Sequence, residues 1–409
     1  MTTTKAIRNP DGLCFYKSAQ CLHLSMKRTR TNLFLLTAFV FFFAFCKTLQ
    51  KTAGNAAAIS SLRFINEAEL PYNLQYKNTT VGGLSGIDYD AEKDLYYMIC
   101  DDRSDRDPAR YYTARIRTGS RGIDSIQLVN VTTLLQAGGL PYPAYIKDAA
   151  HACDPEALRY NKREGVYVWS SEGERLIRPG DTVLTDPFIH VMQSGGRYLY
   201  SFELPANLHM RATQQGPRRN GVFEGLAFSD DGQTLYASVE EPLYEDGPRA
   251  GLGDTAGWIR IIRYNAMSRK PVAQYAYRID PVAHPANPPG GFVVNGVPDI
   301  LFIDKQHLLV TERSYSKGYT NCTIKLYLAD LDGATDVSAI PSLLQQPAPR
   351  PVTKKLLLNL DSLNRYIDNV EGATFGPLLP NGHKTLLLIA DNNFDADEKT
   401  QFFLFEVIP

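Results

Sequence analysis

Five segments of this chain each carry an oxygen-bearing side chain at the start and a carboxylate near the end. The opening residues are Ser85, Glu156, Glu224, Asp299 and Glu371, separated by 71, 68, 75 and 72 residues. The closing acids are Asp101 or Asp102, Glu172, Glu240, Glu312 and Asp391, at an offset of 16 in the first three segments, 13 in the fourth and 20 in the fifth. Carboxylates gathered in a small volume cannot all stay ionised and unpaired, so protons or cations must neutralise some of them. A donor set of oxygens with neither imidazole nor thiolate suits Ca2+ or Mg2+, and six to eight oxygens on a flexible ring favour Ca2+. The expected metal ligands are Glu156, Glu224, Asp299, Glu371, Asp102, Glu240, Glu312 and Asp391, with Asn392 and Asn393 able to add neutral oxygens.

Cations follow the closing acids: Arg103 after the first, Arg175 after the second, Arg313 after the fourth, with Lys317 further on. A guanidinium can pair with an acid or fork around an anionic group. Together these residues suit an anionic ester as small-molecule substrate. The metal polarises an oxygen, a water attacks, and arginine holds the negative charge. Glu156, Glu224, Glu371, Arg103 and Arg313 form the candidate catalytic set, and Arg103, Arg175, Arg313 and Lys317 the substrate-binding set. His151 is the best placed histidine for proton transfer. No GxSxG motif marks a serine hydrolase. The alternative is a non-catalytic surface protein that binds a ligand or partner, its acids bracketing strand ends and arginines.

What positions these residues is a repeated hairpin. In residues 223–241, Asp230-Asp231-Gly232 is a turn signal between two strand-like runs, because Asp-Gly accepts the positive φ of a tight hairpin. A hairpin brings its open ends together, and with them Glu224 and Glu240. Behind four of the five hairpins come two further strand-like runs, giving units of four strands. Behind the fifth comes only 401–407. The orphan run 62–70 supplies the missing strand, which is how a ring of blades closes. The fold expected is an all-β propeller of four-stranded blades, five by strand count. A sixth blade would have to hide in a long connection. A β-sandwich leaves a repeat near 70 residues unexplained. The opening acids then converge at one mouth of the channel, beneath loops that all follow the second strands. Helix signals are scarce, with single turns expected at 364–369 or 132–136.

A chain of 409 residues with 44% hydrophobic residues buries a large core, and a net charge of -1 gives no support for nucleic-acid binding. The protein is expected to be a monomer. Residues 1–58 read as an extension, a signal segment and a spacer, and 59–409 as the propeller domain. The basic run 26–30 precedes a 13-residue apolar run at 33–45, too short to span a bilayer. Either Met1 or Met26 starts the chain. Cys46 closes the apolar run, so three readings stay open: a lipoprotein lipidated at Cys46, soluble export to the periplasm or medium, and an uncleaved anchor. Membrane contact is expected only through this segment or that lipid. Cys100, Cys153 and Cys322 remain outside it; Cys100 and Cys153 are read as buried thiols, with a disulfide between neighbouring units the alternative.

The EG-type strand starts, the DDR and TER strand ends, and the closing VEGATFGP…LLLIADNNF…QFFLFEV resemble the phytase-like family described as "esterase-like activity of phytase". The likeness covers roughly residues 82–407. It implies export, a propeller-like fold and a phosphoesterase or esterase role, and carries no residue assignment with it.

Overall fold

The structure is a computed structural model that describes residues 59–253 and 257–409. The expectations for the signal segment, Met26, Cys46 and the spacer lie outside the described residues. Five four-stranded antiparallel sheets follow one another along the chain. Blade one comprises Gly86–Asp90, Leu95–Cys100, Arg110–Gly119 and Gly122–Thr133. Blade two comprises Pro155–Asn161, Val166–Ser171, Phe188–Met192 and Tyr198–Ser201. Blade three comprises Phe223–Phe228, Thr234–Val239, Trp258–Asn265 and Lys270–Arg278. Blade four comprises Val293–Phe302, His307–Ser316, Thr323–Asp330 and Thr353–Asn359. Blade five takes Asn369–Leu378, Lys384–Asp391 and Thr400–Ile408 from the end of the chain and Ser61–Leu70 from its beginning.

The count of five and the ring closure are as the repeats predict. The turn at Gly232 has φ +65°, the left-handed conformation that its Asp-Gly sequence favours. Two 3-10 turns occur among the described residues, at Ala206–Leu208 and Leu360–Leu363, and not at the two runs expected.

Apolar clusters fill the gaps between blades. Leu301, Leu326, Leu386 and Phe403 join blades four and five, and Ile99, Leu158, Tyr167 and Trp169 join one and two. The first strands line the axis and touch their neighbours cyclically. The glycine of the EG pairs permits this approach. A Cβ on Gly225 would sit 2.7 Å from the Ile300 amide, and one on Gly372 would sit 3.0 Å from Cα of Gly86.

The closing strand pairs with Thr400–Ile408 over nearly its whole length. Deleting Ser61–Leu70 leaves that strand as a long apolar edge, a template for aggregation. Such a truncated chain is expected to lose its cooperative melt and elute as aggregate, as circular dichroism and size-exclusion chromatography will show.

Candidate functional site

A cavity of about 910 Å³ opens at the mouth where first strands begin and second strands end. Eleven carboxylate side chains and four arginines line it. The placement follows from the strands. In blades two, three and five the register of the first strand shifts at Glu156, Glu224 and Glu371, so each glutamate leaves the ladder at a bulge. The second strands end at Ser171, Val239 and Asp391, which places Glu172 and Glu240 just beyond the ladder and Asp391 at its last residue.

Three groups result: Asp101, Glu371 and Asp391; Asp154, Glu156 and Glu172; and Glu172, Glu224 and Glu240. In each, one oxygen per residue lies within 4.8 Å of the others. Glu172 belongs to two groups, and its Oε1 accepts the amides of Gly221 and Val222. Burial is the largest influence on these carboxyls, and neighbouring carboxylates add to it. Glu156, Glu172, Glu224 and Asp391 are pushed well above the usual range. Asp101 is raised to about 8, with Glu371 the leading charged neighbour. Burial raises Glu371 itself to about 7 against the opposing pull of Arg313, and Asp154 to about 6 against Arg103.

Two predicted arginines reach into the cavity. Arg313 donates to Glu240 Oε1 at 2.6 Å and to Asn369 Oδ1 at 2.8 Å, and lies 3.7 Å from Glu371. Arg103 donates through Nε to Asp154 Oδ1 at 2.7 Å and lies 3.6 Å from Glu174.

Several predicted residues lie elsewhere. Asp102 turns away from the cavity: it is paired with buried Arg110 at 2.8 Å and accepts the amides of Asp105, Arg106 and Asp107. Its neighbour Asp101 lines the cavity instead, because successive residues near a strand end point to opposite sides. Asp299 lies deeper along the axis in an ion pair with Arg159 at 2.7 Å. The fourth first strand shifts register between Gly296 and Asp299, as the third does between Phe223 and Leu226, so Val297 and not Asp299 corresponds to Glu224. Glu312 points out of the mouth to Tyr277 Oη at 2.7 Å, Asn295 Nδ2 at 2.9 Å and Lys354. Adjacent Arg313 takes the cavity side of the same strand.

Arg175 binds the carbonyls of Arg211 and Thr213 at 2.9 and 3.0 Å and covers Tyr244. It and the exposed Lys317 do not line the cavity. Ser85 donates to the Glu156 carbonyl at 2.8 Å and ties blade one to blade two. His151 is exposed and bound to Asp148 at 2.9 Å. Cys100, Cys153 and Cys322 are free and buried.

Other cavity residues escaped the repeat argument. Asp154 and Asp368 stand two and three residues ahead of the opening acids, so the runs DPE and DNVE carried the signal. Arg219 and Arg249 come from connections outside the repeat. They pair with Glu174 at 2.7 Å and Glu241 at 2.8 Å.

The profile of the phytase-like family, described as the esterase-like activity of phytase, matches residues 79–394. No curated protein matches the chain. Among solved structures, an exo-beta-1,3-galactanase from Phanerochaete chrysosporium is 12% identical at TM-score 0.43, covering 83% of this chain and 64% of that one. A beta-xylosidase/alpha-arabinofuranosidase from a compost microbial metagenome is 11% identical at TM-score 0.40, covering 83% and 94%. A GH43_1 enzyme from Xanthomonas citri is 10% identical at TM-score 0.41, covering 83% and 89%.

Proposed function

The chain belongs to the phytase-like family, and on that premise we propose that it hydrolyses phosphate or other anionic esters in the acidic cavity, assisted by Ca2+. One observation carries this reading: two complete carboxylate groups, two members of a third whose Asp391 lies buried behind them, and two embedded arginines, Arg103 and Arg313, line a single cavity. The residues fit a hard cation. The donors are all oxygens, and Asp391 Oδ1 is buried without a hydrogen-bond partner beside Asp101 and Glu371. Those three, or Glu172, Glu224 and Glu240, would hold the ion. When bound it offsets the surplus negative charge and polarises an ester oxygen.

The chain's own residues do the rest. Arg313 and Arg103 orient the anionic group of the ester. The water oxygen forms a bond to phosphorus as the bond from phosphorus to the ester oxygen breaks. An ionised carboxylate, assigned to Glu371, takes the water's proton. With the ion at Glu172, Glu224 and Glu240, Glu371 is free to act as that base, and a protonated carboxyl, assigned to Glu156, gives a proton to the departing oxygen. Carboxyls raised into and above the neutral range supply both forms at once.

In this reading the protein is an exported monomer that binds no nucleic acid and meets the membrane only through its N-terminal segment or a lipid on Cys46. Mass spectrometry of the mature N-terminus separates a lipid on Cys46, cleavage elsewhere and a retained anchor, and cell fractionation tests export; a chain found only in the cytoplasm would overturn it.

The activity test is phosphate release from a panel of esters with Ca2+ and with chelator. Release is expected only with Ca2+, and Arg313→Ala is expected to lower kcat/KM by about 100-fold or more. Release from no ester would leave the ligand-binding alternative, which is favoured by one observation: all four cavity arginines already have carboxylate partners.

A further inference from the structure

The cavity has two chemically different walls. Most of its lining is charged, but one contiguous part is not. Phe292, Val294, Tyr315, Tyr319, Thr320 and Cys322, all from blade four and its loop, form a wall without a carboxylate, ammonium or guanidinium. Two of its rings are large and open: Phe292 is 54% exposed and Tyr319 is 42% exposed. Both are held in place. Phe292 packs on Tyr315 with ring centroids 6.2 Å apart, and Tyr319 lies flat on His284 at 4.7 Å and 8°. The wall adjoins the anion-binding side directly. Arg313 and Tyr315 are two apart on one strand, so they share a face.

Resting on the hydrolytic reading above, we propose that the ester this cavity takes carries one anionic group joined to a flat apolar ring, an aryl phosphate in chemical class, and that a polyphosphorylated ring is excluded. With the anionic group at Arg313, the remainder of the molecule lies over Tyr315, Phe292 and Tyr319. Flat rings gain there by stacking and by leaving water. Further phosphates on the same molecule would meet either this uncharged wall or the surplus carboxylates. They would find no further cation in the lining, since Arg313 and Arg103 already hold the first anionic group and Arg219 and Arg249 are each paired with an acid. Hydrolysis of such an ester joins the water oxygen to phosphorus, breaks the bond from phosphorus to the aryl oxygen, and releases inorganic phosphate and a phenol that carries one proton from the cavity.

The test compares 2-naphthyl phosphate, glycerol phosphate and inositol hexakisphosphate as substrates of the full chain with Ca2+. The naphthyl ester is expected to exceed the glycerol ester in kcat/KM by about tenfold or more, the range a hydrophobic subsite gives. Phe292→Ala and Tyr319→Ala are each expected to cut that preference severalfold, mainly through KM. A ratio near one, a ratio that neither variant changes, or preferred release from the hexakisphosphate overturns the proposal. Melting curves check that the variants fold. A second arm needs neither variants nor turnover: 2-naphthylphosphonate is expected to bind wild-type protein at least tenfold tighter than methylphosphonate. Equal binding overturns the aryl subsite. Tight binding together with no turnover of any ester supports the subsite and removes the hydrolytic reading alone.

Discussion

Replacing Glu224 and Glu371 together by glutamine is expected to raise the melting temperature of the metal-free protein at pH 8, and to abolish both its stabilisation by Ca2+ and its ester turnover. The sign follows from the protons. Burial, reinforced by Glu240 and Glu172, lifts Glu224 well above the ordinary glutamate value, and burial lifts Glu371 to about 7. A carboxyl raised in the folded chain binds more protons there than in the unfolded chain. Its penalty is absent below the unfolded value near pH 4.5, grows as pH rises, and is complete above the folded value. Metal-free wild type therefore loses stability between about pH 5 and pH 8, where Asp101, raised to about 8, adds to the loss. Glutamine keeps the shape and removes the charge at every pH. Each kcal/mol relieved is expected to shift the melt by roughly 1–1.5 °C in a chain of this size. Calcium replaces the missing protons, so its effect on wild type is expected to be larger at pH 8 than at pH 5. The double variant lacks one ligand oxygen from each of the two candidate ion groups and the proton acceptor Glu371, and turnover is expected to fall by about 100-fold or more. Differential scanning fluorimetry at both pH values, with Ca2+ and with chelator, reads all the stability terms. If the acids were only brackets for strand ends, the same variant would melt lower in chelator, the opposite sign.

The sequence shows most of this arrangement because a repeat reports geometry. Once five hairpins share a period, the ends of their strands must meet around one axis, and Glu156, Glu224, Glu371, Glu172 and Glu240 fall into place. What a period near 70 residues cannot report is parity. Asp101 and Asp102 are adjacent in the chain, yet one lines the cavity and the other anchors Arg110. Glu312 and Arg313 divide in the same way. Which member faces inward depends on bulges, and a bulge adds a residue without leaving a mark in composition. The fourth unit's short offset of 13 was the visible trace of a different slip: its bulge matches the third's, and its acid stands two residues past the position equivalent to Glu224. The loops were legible as loops but not as walls. Tyr319 becomes part of a surface only because His284, 35 residues earlier, lies beneath it.

The residue displaced by that slip gives the second large effect: Asp299→Ala is expected to destabilise the chain by about 3–5 kcal/mol and to leave the Ca2+-dependent shift of the remaining folded protein intact. Asp299 and Arg159 are an ion pair on the axis, with side chains only 3% and 4% exposed. Their other hydrogen bonds reach every blade. Arg159 of blade two donates to the carbonyls of Ile87 in blade one and Leu226 in blade three, and Asp299 of blade four accepts the amide of Ala373 in blade five at 2.7 Å. The large cost does not come from the attraction within the pair. Burial holds the Asp299 carboxyl at about 6 even beside a guanidinium, so the pair itself repays little of its desolvation. The cost arises because alanine leaves the guanidinium buried and unmatched, and leaves the Ala373 amide without its acceptor. For the same reason the double replacement Arg159→Met with Asp299→Leu is expected to recover much of the loss, since it removes both charges and keeps the axis filled. Urea unfolding of wild type and the two variants measures these differences. A single variant as stable as wild type would show that the apolar clusters between blades hold the ring unaided. A single variant that folds normally yet no longer responds to Ca2+ would return Asp299 to the ligand set from which its place on the axis removes it.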